Sequence, residues 1–179
     1  MKIVILCGFL FAQNALGAGL EFNPAQGKIS FLAKGRPALI SIKGEGEGAS
    51  GVLRQESGML QGDLSFNLGT LKTGIDLRDE HMKTKYLETE KFPLTVLTIK
   101  GMQSPPLNAP TPFEGSLRLH GVDNPVKGTV TLSGGEAEKT VKAEFSVKLS
   151  QFKIEIPSFQ GITVAEDVAV QMESKAKEL

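Results

Sequence analysis

The sequence has little of what many functional sites require. Its 179 residues include a single cysteine, Cys7, two histidines and no tryptophan. Cys7 lies in an N-terminal segment that we expect to be removed, so the mature chain has no thiol. This excludes a disulfide, a cysteine-bound zinc ion and a cysteine nucleophile. The lack of tryptophan, together with 20 glycines and nine prolines, favours a turn-rich chain over a helical bundle.

The sequence also lacks an excess of charge of either sign. It contains 20 Lys and Arg residues and 20 Asp and Glu residues, and removal of Lys2 with the leader leaves the mature chain slightly acidic. Because binding of phosphate requires a net basic face, nucleic acid is not expected as the partner. The 40% hydrophobic and 22% charged content is that of an ordinary globular protein. The length predicts one domain, residues 18–179.

No hydrophobic run is long enough to cross a bilayer. A basic residue is followed by the apolar residues 3–12, which form too short a run for a membrane-spanning helix. Small residues stand at Ala15 and Gly17, with the −3 and −1 spacing that a signal peptidase requires. The pattern predicts a secretory signal peptide over residues 1–17, with cleavage after Ala18 as a nearly equal alternative. The mature protein is therefore expected to be exported without a transmembrane anchor; the alternative interpretation of the segment is a buried first strand.

Most of the mature sequence alternates between apolar and polar side chains with a period of two, as half-buried strands do. In residues 141–149 every odd position is apolar and every even position is polar. Similar alternation recurs in residues 29–31, 40–42, 64–68, 117–119, 126–132 and 168–172. Residues 94–99 are less regular and are interpreted as a strand buried on both faces. About eight strands separated by Gly, Pro and Asn turns predict an all-β sandwich or barrel.

One segment departs from the strand pattern. Residues 75–87 are predicted to form a short helix, with Met82 and Tyr86 on one face and Pro93 beyond its end. The proline-rich residues 101–112 are predicted to form an irregular loop.

One-sided alternation limits the architecture. It buries one face of an antiparallel sheet and leaves the other face in water. About eight strands that close into a barrel would achieve this without exposed edges. A barrel of that size either fills with side chains or holds one small ligand, and the pattern favours neither outcome.

Fragments of catalytic motifs occur without the context that their chemistry requires. Residues 45–51 contain a dinucleotide-type glycine pattern, but acidic neighbours would repel phosphate and no helix is predicted to follow, which favours a glycine-rich hairpin. Residues 150–153 and 72–74 form the S-x-x-K and K-T-G pieces of penicillin-recognising enzymes, in reversed order and without S-D-N between them. His81 and His120 lie far apart, and no spacing supplies a third metal ligand. We therefore expect a protein without catalytic residues, bound metal or cofactor.

The densest charged group in the sequence lies on the predicted helix. It consists of Asp76, Arg78, Asp79, Glu80 and His81. The favoured interpretation is a solvated helix face with local ion pairs. A polar lid or structural tie at the mouth of a barrel is the second interpretation, and acid–base catalysis is the third.

Three groups of residues form a recognisable set. The first comprises residues 71–74, 78–82, 86–87 and 91–93; the second comprises residues 115–122 with Pro125 and Val126; and the third comprises residues 150–154 with Val164, Asp167 and Val168. Taken together, these groups resemble the YceI-like family. The three groups occupy corresponding positions over almost the whole mature chain. Ser150, Gln151 and Lys153 stand where the family carries Arg, Asp and Gly, and Asn124 stands where Lys is usual.

This resemblance implies an antiparallel β-barrel of lipocalin-like shape with one short helix, exported to the periplasm. Such proteins bind polyisoprenoid or other long-chain amphiphilic lipids in an apolar tunnel, and the resemblance also makes a homodimer an expectation. The expected function is that of a binding or carrier protein for such a lipid. The alternative is a non-catalytic periplasmic scaffold for a membrane redox or stress-response partner, which an interior too small for a chain would favour.

The tunnel is predicted to be lined by the inward apolar side chains of the strands. The candidates are Phe31, Ile42, Phe66, Leu68, Leu117, Leu119, Val130, Phe145, Val147 and Val170. A polar head group is predicted to meet Arg78, His81 or Tyr86 at the mouth. The alternative for every apolar candidate is that it only packs against its neighbours.

Overall fold

A computed structural model of the chain describes residues 18–36, 40–135, 138–159 and 162–179. The predicted signal peptide, residues 1–17, lies outside the described residues. Within the described ranges no helix has the length and hydrophobicity that crossing a lipid bilayer requires.

The described residues form ten strands, one short helical segment and two short 3₁₀ turns. The strands are β1 (Gly19–Arg36), β2 (Ser41–Glu47), β3 (Ser50–Glu56), β4 (Met59–Asn67), β5 (Leu94–Gln103), β6 (Thr111–Leu119), β7 (Val122–Gly134), β8 (Glu138–Lys148), β9 (Ser158–Phe159) and β10 (Ile162–Glu178). The helical segment consists of α1 (Asp76–His81) and a continuing π-helical stretch, Met82–Tyr86, and the 3₁₀ turns are Leu68–Thr70 and Leu149–Phe152.

Eight of these strands close into an antiparallel barrel. The neighbours around the ring are β1, β3, β4, β5, β6, β7, β8 and β10, and β10 pairs back with β1. Strand β2 pairs with the second part of β1, and β9 pairs with the start of β10. The predicted all-β barrel of about eight strands with one short helix is therefore confirmed.

The long strand β1 changes partner along its length. Residues 19–22 pair with β3, whereas residues 28–34 pair with β2. The outer edge of β2 is covered in turn, because the backbones of Glu45 and Lys72 exchange two hydrogen bonds of 2.9 and 2.8 Å. The sequence prediction placed the start of this first strand near Ile29, about ten residues too late, because residues 19–28 contain Gly, Pro and polar side chains that break the alternation.

The alternation in the sequence corresponds to the two faces of the barrel wall. On β8, Val141, Ala143 and Val147 are buried, while the intervening charged and hydroxyl side chains are exposed. The interpretation of residues 94–99 as a strand buried on both faces is wrong. Leu94 is 51% exposed, because every strand of a closed single-layer barrel has one face in water.

The interior divides into two halves along the barrel. One half, here called the filled half, is a cluster of buried side chains that includes Phe22, Leu60, Phe113 and Val141. The other, the cavity half, contains Phe66, Leu117, Val147 and Phe152 among its buried side chains. Three half-buried residues, Ile29, Leu97 and Phe145, pack against both clusters and mark the boundary.

Candidate functional site: an apolar cavity closed at one end

The cavity half contains an apolar cavity of about 580 Å³. Its walls come from β1, β2, β4, β6, β8 and β10, and its mouth lies beside α1 and the π-helical stretch. A volume of this size falls within the range of ordinary ligand sites, about 300–1,000 Å³. The barrel interior is therefore not filled along its whole length, which the sequence pattern alone left open.

The structure brings together nearly all the side chains that the sequence singled out. The wall includes Phe31, Ile42, Phe66, Leu68, Leu117, Leu119, Phe145, Val147 and Val170, and the mouth includes Arg78, His81 and Tyr86. Their contact with a ligand stays a prediction. Val130 is not part of the wall: it lies in the filled half, because its position on β7 places it beyond the boundary residues.

A glycine makes room for one ring of the wall. Gly44 on β2 lies opposite Phe31 on β1. A Cβ atom on Gly44 would lie 2.4 Å from the Phe31 ring. Any larger residue at this position would push the Phe31 ring into the cavity or break the β1–β2 pairing.

The mouth carries exposed apolar side chains. Ile75 and Leu77, at the start of the helical segment, are 54% and 55% exposed, and Ile40 just before β2 is 38% exposed. All three also line the cavity. Side chains that line a cavity and remain in contact with water mark the opening through which an apolar molecule would enter.

A small polar cluster fixes the mouth beside these residues. The Arg78 side chain donates from Nε to the Thr73 hydroxyl at 2.7 Å and from one terminal nitrogen to the Thr73 carbonyl oxygen at 2.9 Å. The Asp79 carboxylate accepts hydrogen bonds from the Thr73 backbone N–H at 2.7 Å and from its hydroxyl. Arg78 and Asp79 therefore act as a structural tie, the second interpretation of the charged group, whereas Asp76, Glu80 and His81 are exposed, as the favoured interpretation of a solvated helix face predicts.

This tie also affects the ionisation of Asp79. Burial alone would raise the pKa of its carboxyl, but the hydrogen bonds from Thr73 and the nearby charges of Lys83 and Arg78 outweigh burial and lower it. Asp79 is thus held as a carboxylate. Arg78 is also one of the residues that line the cavity at its mouth.

A second tie connects the end of the helical segment to the barrel. His120 lies in the turn between β6 and β7, with a φ of 52°. Its Nε2 lies 2.9 Å from a carboxylate oxygen of Glu88, and its Nδ1 lies 3.1 Å from the Phe152 carbonyl oxygen. The Phe92 ring packs edge-on against the imidazole at 4.7 Å. This network joins the segment after the helical stretch, the β6–β7 turn and the 3₁₀ turn after β8, all around the cavity half.

The Glu88 carboxylate is stabilised in its ionised form. Hydrogen bonds from Lys91 and then from His120 lower its pKa below the usual 4.5. A carboxyl whose pKa falls on folding stabilises the folded state above its unfolded pKa, and that contribution disappears as the pH falls through the folded pKa.

Glu88→Gln is therefore expected to lower the urea midpoint of unfolding at neutral pH. The difference from the wild type should shrink as the pH falls from about 4.5 through the lowered pKa, because both proteins then carry a neutral side chain. Urea unfolding over a pH series measures this, with the exposed neighbour change Glu90→Gln as the control. An unchanged difference down to the lowest pH at which the barrel remains folded would contradict the assignment.

Several wall residues were not found from the sequence. Ile154, Pro157 and Ser158 line the cavity from the segment after the Leu149–Phe152 turn. Residues 152–156 alternate between apolar and polar side chains, so a short periodic signal was present there, but it was not used to predict a wall segment. Val164 and Val168 of β10 also line the cavity, and their period-two spacing with Val170 was a usable signal.

The fragments of catalytic motifs have structural explanations. The glycine pattern of residues 45–51 spans β2 and β3, with no helix after it. The Ser150 hydroxyl donates to a carboxylate oxygen of Glu166, and Lys153 ends the preceding 3₁₀ turn in the left-handed region.

Comparison with known proteins identifies relatives of this barrel. A family model described as a YceI-like domain matches residues 20–176. The chain belongs to the YceI-like family. The resemblance seen in the sequence is thereby confirmed over almost the whole described part of the chain. No curated protein sequence matched the chain.

Solved structures share the fold of this YceI-like chain at low sequence identity. A polyisoprenoid binding domain from Saccharophagus degradans, implicated in plant cell wall breakdown, superimposes with a TM-score of 0.68 at 14% identity, covering 91% of this chain and 99% of that chain. BcnA from Burkholderia cenocepacia gives 0.72 at 13% identity, with 87% and 99% covered. The YCEI protein of Campylobacter jejuni gives 0.63 at 18%, with 79% and 87% covered. These likenesses show that the YceI-like barrel is shared while its side chains differ.

Proposed function

We propose that this YceI-like protein is a periplasmic binding or carrier protein for a polyisoprenoid or another long-chain amphiphilic lipid. The observation that carries the proposal is the apolar cavity of about 580 Å³ with exposed apolar side chains at its mouth. One structural neighbour is described as a polyisoprenoid binding domain, which supports a lipid as the ligand class. The periplasmic location rests on the signal peptide predicted over residues 1–17.

The wall chemistry suits a hydrocarbon chain. Each CH₂ group removed from water contributes about 0.8 kcal/mol, so ten carbons contribute roughly 8 kcal/mol before the costs of association. Such a contribution needs no polar contact inside the cavity.

The alternative function was that of a periplasmic scaffold, and an interior too small for a lipid chain would have favoured it. The cavity volume does not favour that alternative. Arg78, Asp79 and His120 hold the neighbouring segments of the site together through the hydrogen bonds described above.

Native mass spectrometry of the protein purified from its own periplasm, followed by solvent extraction, tests the proposal. A stoichiometric long-chain adduct is the expected result, and the mass of the extracted protein reports the cleavage site. A delipidated protein that takes up neither prenyl alcohols nor fatty acids from vesicles, at any concentration tried, would contradict the binding function.

Arg78 is expected to select the polar end of the ligand. Because Arg78 is positively charged and is one of the residues that line the mouth, Arg78→Ala should weaken binding of a fatty acid at least about tenfold, the effect of losing one hydrogen bond to a charged group. Binding of the alcohol of the same chain length should change less than about twofold. Isothermal titration of both ligands measures this, with Lys142→Ala on the outer face of β8 as the matched control. Equal losses for acid and alcohol would show that Arg78 acts only through the Thr73 tie.

A further inference from the structure

Phe145 occupies a special position between the two halves of the barrel. It points inward from β8 and packs against the clusters of both halves. A second, much smaller void of about 40 Å³ lies in the filled half. Among the described residues, Phe145 is the one side chain that lines both the cavity and this void. Its ring therefore forms the floor of the cavity.

On the side of the filled half, the Phe145 ring packs against a second aromatic ring. The Phe145 ring makes an edge-to-face contact with Phe113, with ring centroids 6.2 Å apart and an interplanar angle of 82°. Opposite Phe145 on β7 stands Gly128, where an added Cβ would first overlap the Glu144 carbonyl oxygen and would also lie 2.7 Å from the Phe113 ring and 2.8 Å from the Cβ of Phe145. Glycine is therefore required here both by the neighbouring backbone and by the two rings. Ile29 and Leu97 complete the boundary.

The capacity of the cavity above this floor is limited. A carbon of a liquid-like chain occupies roughly the 30 Å³ of a water molecule, so about 580 Å³ accommodates about 20 carbons, or four prenyl units. Carbons beyond this number would remain at the mouth in contact with water and would add little affinity.

We propose that Phe145 determines the length of chain that the cavity accepts, and that the ligand is a single-chain amphiphile whose buried part does not exceed about four prenyl units. This inference rests on the proposed lipid-binding function. It goes further because it assigns the upper length limit to one ring. Removal of that ring would join the cavity to the void below and make room for about one further prenyl unit.

Competition binding with prenyl alcohols of two, three, four, five and six units, measured on the delipidated protein against a fluorescent fatty acid, tests this inference. In the wild type, affinity should rise with each unit up to four and then change less than about threefold from four units to six. In Phe145→Ala the five-unit alcohol should bind at least about tenfold more tightly than the four-unit alcohol. Phe145→Leu keeps an apolar floor of smaller size and should shift the limit in the same direction by less.

Leu60→Ala is the matched control. It shortens a buried side chain that lines the void of the filled half and enlarges that void, but it leaves the Phe145 ring and its contact with Phe113 in place. Its length limit should equal that of the wild type. A shift in Leu60→Ala as large as that in Phe145→Ala would assign the limit to the filled half as a whole and overturn the role of Phe145.

The outcomes separate the two proposals. If the wild type binds none of the alcohols, the lipid-binding function fails and the length limit fails with it. If the wild type binds them with an affinity that keeps rising from four units to six, or if Phe145→Ala and Phe145→Leu both keep the wild-type limit, the floor proposal is overturned while the binding function stands.

Discussion

A double substitution that fills the cavity, Val147→Phe with Val170→Phe, is expected to weaken binding of a four-unit prenyl alcohol at least about 100-fold. Both valines line the cavity from neighbouring strands, β8 and β10. The two added rings take up the space of about eight ligand carbons, each of which contributes about 0.8 kcal/mol when buried. We therefore expect the binding free energy to fall by at least about 2.7 kcal/mol, which corresponds to 100-fold weaker binding.

The fold should tolerate this change because the new rings enter empty space. Val141 on the same face of β8 gives the matched control, since it is equally buried but lies in the filled half. Val141→Phe should destabilise the protein by about 1–3 kcal/mol through overpacking and should leave the cavity unchanged. Urea unfolding and ligand titration of both variants measure the contrast. A double variant that still binds at full strength, or that unfolds like Val141→Phe, would show that the cavity is not open in solution.

Phe152→Ala is expected to cost about 3–5 kcal/mol of unfolding free energy. Phe152 is 1% exposed and packs inside the cavity half at the 3₁₀ turn that follows β8. Its removal leaves a hole that the neighbouring strands cannot fill without breaking their pairing. The backbone carbonyl that contacts His120 is unaffected by the change, so the loss measures packing.

Phe31→Ala supplies the comparison for this prediction. Phe31 is half-buried and its ring faces the cavity, so its removal widens a space that is already empty. We expect its cost to be smaller than that of Phe152→Ala by at least about 1 kcal/mol. Urea unfolding of the delipidated proteins measures both values. Equal costs would mean that Phe31 packs as tightly as Phe152 and that the wall closes over the cavity.

The structural neighbours clarify what the barrel shares and what it varies. Three of them superimpose with TM-scores of 0.63 to 0.72 at 13% to 18% identity. A barrel wall with one face in water requires only that apolar and polar residues alternate along each strand, so many different sequences can form it. The proposed determinants of chain length and head group, Phe145 and Arg78, are individual side chains that this alternating pattern does not specify.

Some features of the site were available from local sequence and others were not. The helical segment beside the mouth follows from the loss of alternation in residues 75–87, and α1 begins at Asp76 within that range. The position of His120 did not follow, because a turn with positive φ brings the imidazole back to Glu88 and Phe152, which are each 32 residues away. Contacts over such separations leave no periodic trace in the sequence.

The sequence by itself determined the all-β class, the inward face of most strands and the family. The physical reason is that side chains on a strand alternate between its two faces, so the apolar positions identify the buried face before the strands are assembled. Only the tertiary structure decided how far along the barrel each inward residue lies. Val130 and Val147 are alike in sequence pattern, yet one packs in the filled half and the other lines the cavity. The pairing registers of the eight strands set that height, and with it the position of Phe145 as the floor.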